Sequence, residues 1–195
     1  MLAVSLIFLP VGPSVLVAGG VSTMDGQASA NEASVVDKIS ASFGTFAGSD
    51  DNAIALVVGL HDGSDVSLST TDSTTTTTTT TTFTPATGPM GYGNVYIALG
   101  LAEASLTAAG VDSPTAADIE ASLNGGTVTV VVTGDTGDTT TTVELSGVLV
   151  LRADGLGWGQ IAHRLGVKLG PVMSALNRDA NALKKANKPA HANSH

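Results

Sequence analysis

The sequence predicts an α+β fold, mostly short helices packed with one Val/Thr β-hairpin. Three observations point there. In several segments apolar residues recur at spacings of three and four, the period of one helix face. Residues 127–133 and 139–145 instead alternate valine with threonine or run through threonines, on either side of Gly134-Asp135-Thr136-Gly137-Asp138. Glycines at Gly63, Gly110, Gly125, Gly126 and Gly155 stand where those segments stop. The composition agrees with a folded chain: 43% of the 195 residues are hydrophobic and only 13% are charged, the reverse of a uniformly disordered polymer. With no cysteine, a disulfide scaffold, a thiolate zinc site and a cysteine nucleophile are excluded. The net charge of −9 argues against the chain as a whole binding nucleic acid.

Residues 1–24 carry no charged side chain. Their apolar core, residues 2–9, is followed by Pro10, Gly12 and Pro13 and then by a second apolar piece, residues 15–18. Ala28-Ser29-Ala30 supplies a small-x-small pattern, so residues 1–30 read as a disordered secretory signal peptide cleaved after Ala30. The amino-terminal region departs from the usual signal in lacking Lys or Arg. A retained anchor is the rival, but Pro10 and Pro13 interrupt the run and the uninterrupted pieces fall short of a span. A buried cytosolic segment is the third alternative. No later stretch is long and apolar enough to span, so the mature chain is expected to begin at Asn31 in the periplasm or outside the cell, with no transmembrane span.

Within the mature chain, residues 31–69 read as a small helical module. Val35, Val36, Ile39, Phe43 and Phe46 define a helix over residues 34–46, with Ser34 as N-cap. Ser49 followed by Asp50 and Asp51 starts a second helix, which Gly63 ends; Val66-Ser67-Leu68-Ser69 is a short strand. Residues 70–89 contain nine consecutive threonines, residues 74–82, and Pro85, Gly88 and Pro89. Such a run has no face to bury and reads as an extended linker; O-glycosylation or an adhesive strand are its alternatives.

Residues 90–178 form the main α+β module. Val95, Ile97, Leu99, Leu101 and Leu106 lie on a helix over residues 93–106 that Gly110 stops. Ser113 and Pro114 read as N-cap and first residue of the next helix. After the hairpin, Ser146 caps a helix over residues 147–154, and further helices are expected over residues 158–165 and from Pro171 towards Lys185. Residues 179–195 are a basic tail, frayed beyond Ala186.

Met90-Gly91-Tyr92-Gly93-Asn94-Val95 and Leu156-Gly157-Trp158-Gly159-Gln160-Ile161 repeat one pattern: apolar, Gly, aromatic, Gly, amide, β-branched. The glycines suit a tight turn and the aromatic can staple the following helix, so the two are read as similar helix starts facing each other in one core. Stacking of a sugar or another flat ligand on Tyr92 and Trp158 is the functional alternative. Neither cluster has the spacing or the Lys-Ser/Thr of a phosphate loop.

Residues 159–168, followed by Val172 and Leu176, resemble the first helix and turn of bacterial helix-turn-helix proteins. Charge is divided accordingly: residues 151–195 hold seven Lys and Arg against two acids, a net of +5, whereas residues 31–150 hold fourteen acids against Lys38 alone, a net of −13. Against a DNA reader over residues 158–177 stand Gly170-Pro171 where a recognition helix would begin, the absence of an N-cap at Lys168-Leu169, few base-reading side chains, and export itself. An intramolecular acidic partner or an anionic envelope surface fits the basic end equally.

Pro89-Met90-Gly91-Tyr92-Gly93-Asn94-Val95, Ser113-Pro114-Thr115, Leu123-Asn124-Gly125-Gly126, Gly147-Val148-Leu149 and above all Gly157-Trp158-Gly159-Gln160-Ile161-Ala162 resemble uncharacterised exported proteins of proteobacteria, across much of residues 47–173. The resemblance implies export and brings no activity with it.

The chain offers few groups arranged for chemistry. His191 and His195 are four apart but lie among Ala, Asn and Ser; His61-Asp62-Gly63-Ser64-Asp65 reads as a turn after a helix; His163 sits beside Arg164 on an exposed face. Asp135 and Asp138 lack the ligand number of a dedicated calcium site. No GxSxG, no HExxH and no paired glutamates occur. The expectation is therefore a non-enzyme with no cofactor and no metal, acting by interaction with an envelope or extracellular partner. Tyr92, Trp158, Gln160, Arg164 and Lys168 are the candidate interaction residues. A helix-turn-helix nucleic-acid binder is the alternative.

Overall fold

The structure, a computed structural model, describes residues 22–71, 76–134 and 137–186. The expected signal core, residues 72–75 of the threonine-rich segment, Asp135 and the final residues with His191 and His195 lie outside the described residues. The α+β class holds, with seven helices and two antiparallel hairpins among the described residues.

Helix α1 spans Ser22–Ala47, so Ser34 is interior rather than an N-cap. Nothing between Met24 and Ala33 breaks a helix except Gly26, and Gln27, Ala28, Ala30, Glu32 and Ala33 carry the helical backbone back beyond Ser34. Helix α2, Asp50–Asp62, begins and ends as its sequence indicates. The Ser49 side chain accepts from the Asn52 N–H, and Gly63 closes the helix at φ 67°. Strand β1, Val66–Thr71, follows.

From Thr78 onward the threonine run is a strand rather than a free linker. Thr78–Phe83 forms β2 and pairs antiparallel with β1, from Val66 opposite Phe83 to Thr71 opposite Thr78. Phe83 sets the register, because it joins Val66 and Leu68 in the core. The threonines then extend the ladder by β-propensity, and their outward hydroxyls pair with serine and threonine: Ser67 with Thr82 at 2.8 Å, Ser69 with Thr80 at 3.3 Å, Thr71 with Thr78 at 3.0 Å. Past β2 the chain is pinned to the end of helix α4, Ala116–Asn124. Asn124 donates to the Thr84 carbonyl at 2.7 Å and accepts from the Ala86 N–H at 3.1 Å.

Helix α3 spans Tyr92–Ala109 and is capped by Gly110 at φ 87°. The next helix, α4, starts two residues later than Ser113 and Pro114 indicate. Thr115 is its N-cap, in a reciprocal box with Asp118. Asp118 three residues on is what selects Thr115, because its carboxylate satisfies the Thr115 N–H at 2.9 Å while Thr115 Oγ1 accepts from the Asp118 N–H at 3.3 Å.

Strands β3, Gly126–Gly134, and β4, Gly137–Leu145, form the expected hairpin with Gly134 opposite Gly137. Val128 and Leu145 are buried on one face, Thr127, Thr129 and Thr142 are exposed on the other, and Val131, the residue that breaks the alternation, is 59% exposed.

Helix α5, Val148–Ala153, has Gly147 rather than Ser146 as N-cap, at φ 72°. A Cβ there would stand 2.3 Å from the Gly125 nitrogen, so this close crossing of two backbones needs glycine. Helix α6 is Trp158–Arg164, and helix α7, Leu169–Ala186, starts two residues before Pro171. Pro171 is tolerated because first-turn N–H groups have no intrahelical acceptor to lose.

One hydrophobic cluster runs through both sides of the threonine segment, from Ile39, Phe43 and Leu56 to Leu99, Leu149, Ile161 and Leu176. The helices of residues 31–69 are docked on the rest, as their small size demands.

Candidate functional site

The two Gly-aromatic-Gly segments adopt the same backbone start. Gly91 and Gly157 are extended N-caps at φ −63°, ψ 147° and φ −73°, ψ 154°. These angles are open to any residue, so the glycines are not there for positive φ. The two starts do meet: Trp158 Nε1 donates to Asn94 Oδ1 at 3.2 Å. The amides have diverged in use. Gln160 turns back and accepts from the Gly157 N–H at 2.9 Å, whereas Asn94 reaches across to the tryptophan.

The aromatics do not share one stacking site. Trp158 lies under the Arg152 guanidinium, 4.8 Å from the ring centroid, and Arg152 is held there by donating to the Leu156 carbonyl at 2.9 Å. Tyr92 instead stacks on His61, centroids 3.9 Å apart and 12° from parallel. Each ring is thus occupied by a side chain of this protein.

Tyr92 and His61 belong to a cluster that periodicity and motifs did not reveal. His61 is in the last turn of α2, and its Nδ1 lies 2.8 Å from the Met90 carbonyl. A carbonyl only accepts, so Nδ1 carries the proton and Nε2 faces Glu32 Oε1, 3.6 Å away. Tyr92 donates to the same carboxylate oxygen at 3.1 Å. Partial burial, then the Glu32 hydrogen bond and the charges of Glu32 and Asp62, push the Tyr92 phenol above its usual 10.0. The three groups line a cleft of about 440 Å³ between α1, α2 and the start of α3. The signal in sequence was indirect, the Gly63 stop just after His61; the Met90 N–H that donates to the Leu60 and His61 carbonyls is a tertiary contact.

The remaining candidates sit on α6 and the turn to α7. His163, Arg164 and Lys168 are exposed while Ile161 and Ala162 are buried beneath them. The turn closes at Gly166, φ 72°, with the Val167 N–H donating to the Ala162 carbonyl at 2.9 Å. Arg164 also lines a small cleft of about 190 Å³ that includes Glu144 and Ser146. Tyr92 and Trp158 thus contact different side chains, His61 and Arg152.

Among the described residues, no three His, Asp or Glu side chains are placed together to hold a metal ion. Among the same residues, no helix is long and apolar enough to cross a membrane. No protein-family model, no curated protein and no solved structure matches this chain.

Proposed function

We propose that this chain is a non-catalytic exported protein, periplasmic or secreted, that acts by binding an envelope or extracellular partner, like the exported proteobacterial proteins it resembles. One observation carries the reading. Residues 1–24 carry no charged side chain and are followed by the small-x-small pattern Ala28-Ser29-Ala30, the order expected of a signal segment cleaved after Ala30. The test is fractionation of the native host with intact-mass analysis. The expected result is a chain beginning at Asn31 outside the cytoplasm; a full-length cytoplasmic chain overturns the reading.

A second reading, nucleic-acid binding through α6 and α7, is favoured by the left-handed Gly166 between them and by α7 starting at Leu169, which removes the objection that Pro171 blocks its start. Arg164, Lys168, Ser174, Asn177 and Arg178 are exposed along this unit. It requires a salt-dependent mobility shift on duplex DNA, with Arg164→Ala and Lys168→Ala each lowering the salt slope by about one. No shift at low salt removes it.

A further inference from the structure

A strand at the edge of a sheet offers unpaired N–H and C=O groups to any second strand, and folded proteins cover or guard such edges. Of the four strands among the described residues, three are managed in this way. On β1, Asn52 donates to the Ser69 carbonyl and accepts from the Ser69 N–H, both at 2.9 Å. Strand β2 faces the start of α4, with Thr79 and Thr81 sharing a cleft with Thr115 and Ala116. Strand β4 carries an acid near each end, Asp138 and Glu144, and Glu144 also shares a cleft with Arg164 of α6. Strand β3 has no such guard. Residues 127–133 read Thr-Val-Thr-Val-Val-Val-Thr, seven β-branched residues in succession with no charge and no proline.

The register fixes which groups β3 leaves open. Gly134 pairs with Gly137 across a two-residue turn, so these two exchange both backbone hydrogen bonds. Bonded pairs then recur at every second residue, Val130 with Thr141 and Val128 with Val143. Thr127, Thr129, Val131 and Thr133 therefore point their N–H and C=O groups away from β4. Among the described residues, Thr127, Thr129 and Val131 find no other backbone partner. Their side chains are exposed, Val131 to 59%. At Gly126 an added Cβ would stand 3.2 Å from Ala121 of α4, so the strand starts against that helix and the open edge begins at Thr127. On the other face Val128 is buried and Val130 packs on the core, which holds the hairpin as a preformed template.

We propose that two copies of this chain join through β3, antiparallel and about a two-fold axis at Val130, into a four-stranded sheet β4–β3–β3–β4. In that register Thr129 of each copy lies opposite Val131 of the other, and Thr127 opposite Thr133. These pairs make about eight hydrogen bonds between the chains. The occupant is a second copy because the strand is its own complement. The centred register uses every open backbone group of residues 127–133, opposes no like charges and sets the exposed Val131 beside Thr129. The same operation on β4, centred at Thr141, would oppose Asp138 to Glu144 twice, a like-charge pairing that disfavours it. Pairing at one edge falls short of the roughly 1,000 Å² of a stable interface, and each chain carries a net charge of −9. The dimer is therefore weak, and salt that screens this repulsion strengthens it.

Sedimentation equilibrium on the full chain at about 0.3 M salt, from about 10 μM to 1 mM, should show the average mass rising from one chain towards two. Over the same range the amide protons of Thr129 and Val131 should exchange roughly tenfold more slowly. That of Thr142 should not change, because Thr129 and Thr142 are cross-strand partners whose N–H groups point from opposite sides of the hairpin. Proline at either position spares the β3–β4 bonds. Thr129→Pro should hold the mass at one chain at every concentration, whereas Thr142→Pro should dimerise as the parent does. The exchange readout uses the unmodified chain, so it decides alone if either variant loses its circular dichroism. A single-chain mass throughout overturns the proposal. So does association that Thr129→Pro leaves intact or Thr142→Pro abolishes, which moves the contact to another surface. Exchange at Thr129 and Val131 that ignores concentration overturns it as well.

Discussion

Asn52 does more for the fold than its polarity suggests. It lies in α2, 6% exposed, and its amide donates to the Ala47 carbonyl and to the Ser69 carbonyl, both at 2.9 Å, while its oxygen accepts from the Ser69 N–H at 2.9 Å. The side chain thereby stands in for a third strand along β1 and occupies edge groups that would otherwise be open. Asn52→Leu removes all three bonds and leaves Ala47 and Ser69 unsatisfied near the core. Urea unfolding should show a loss of about 2–4 kcal/mol. Tyr92 makes a different prediction. Its phenol is shifted upward in the folded chain, chiefly by desolvation and then by Glu32. Above the unfolded value of 10.0 the unfolded chain releases the proton first, so stability falls as pH rises from there to the higher native midpoint. Difference absorbance of the phenolate should place that midpoint above 10.0 in the native protein, and lower in Glu32→Gln than in the parent.

Among the elements, boundaries were decided by pairs of residues more than by single ones. Thr115 displaces Ser113 as N-cap of α4 because Asp118 is spaced to complete the reciprocal box. Thr115→Ala should cost about 1 kcal/mol in thermal or chemical unfolding, while Ser113→Ala should be near neutral. Equal costs for the two would place the helix start at Ser113. Strand β2 shows the same logic over a longer distance. Nine threonines have no preferred partner, but Phe83 opposite Val66 gives residues 78–82 a register. The Phe83-to-Val66 pairing was open to view only as a spacing between one aromatic and an alternating Val-Ser-Leu, and an apolar residue at the end of a polar run rarely declares which strand it will meet. The α2 boundaries were legible because Ser49 and Gly63 act locally, each within one turn of its own helix.

For the whole molecule, the hydrophobic cluster decides how the parts relate. It joins Phe43 of α1, Leu56 of α2, Leu99 of α3, Leu149 of α5 and Leu176 of α7. Helices on both sides of the threonine segment should therefore unfold together. Trp158, the one tryptophan, reports on α6, whereas far-ultraviolet circular dichroism reports on all the helices. Their thermal midpoints are expected to coincide. Separate midpoints would show that residues 31–69 melt as an independent unit, contrary to the shared core.

The sequence by itself determined the α+β class, the caps of α2 at Ser49 and Gly63, the β3–β4 hairpin, the stop at Gly110 and the kinship of the two Gly-aromatic-Gly helix starts. These rest on side-chain period and on backbone preferences that act within a few residues. Tertiary structure decided the rest: that Asn94 caps Trp158 rather than its own helix, that Tyr92 pairs with His61 and Glu32, and that part of a threonine run becomes a strand. Those outcomes join residues far apart in sequence, where the preference of each partner alone is weak and only the shared burial and the requirement to satisfy buried polar groups select one pairing.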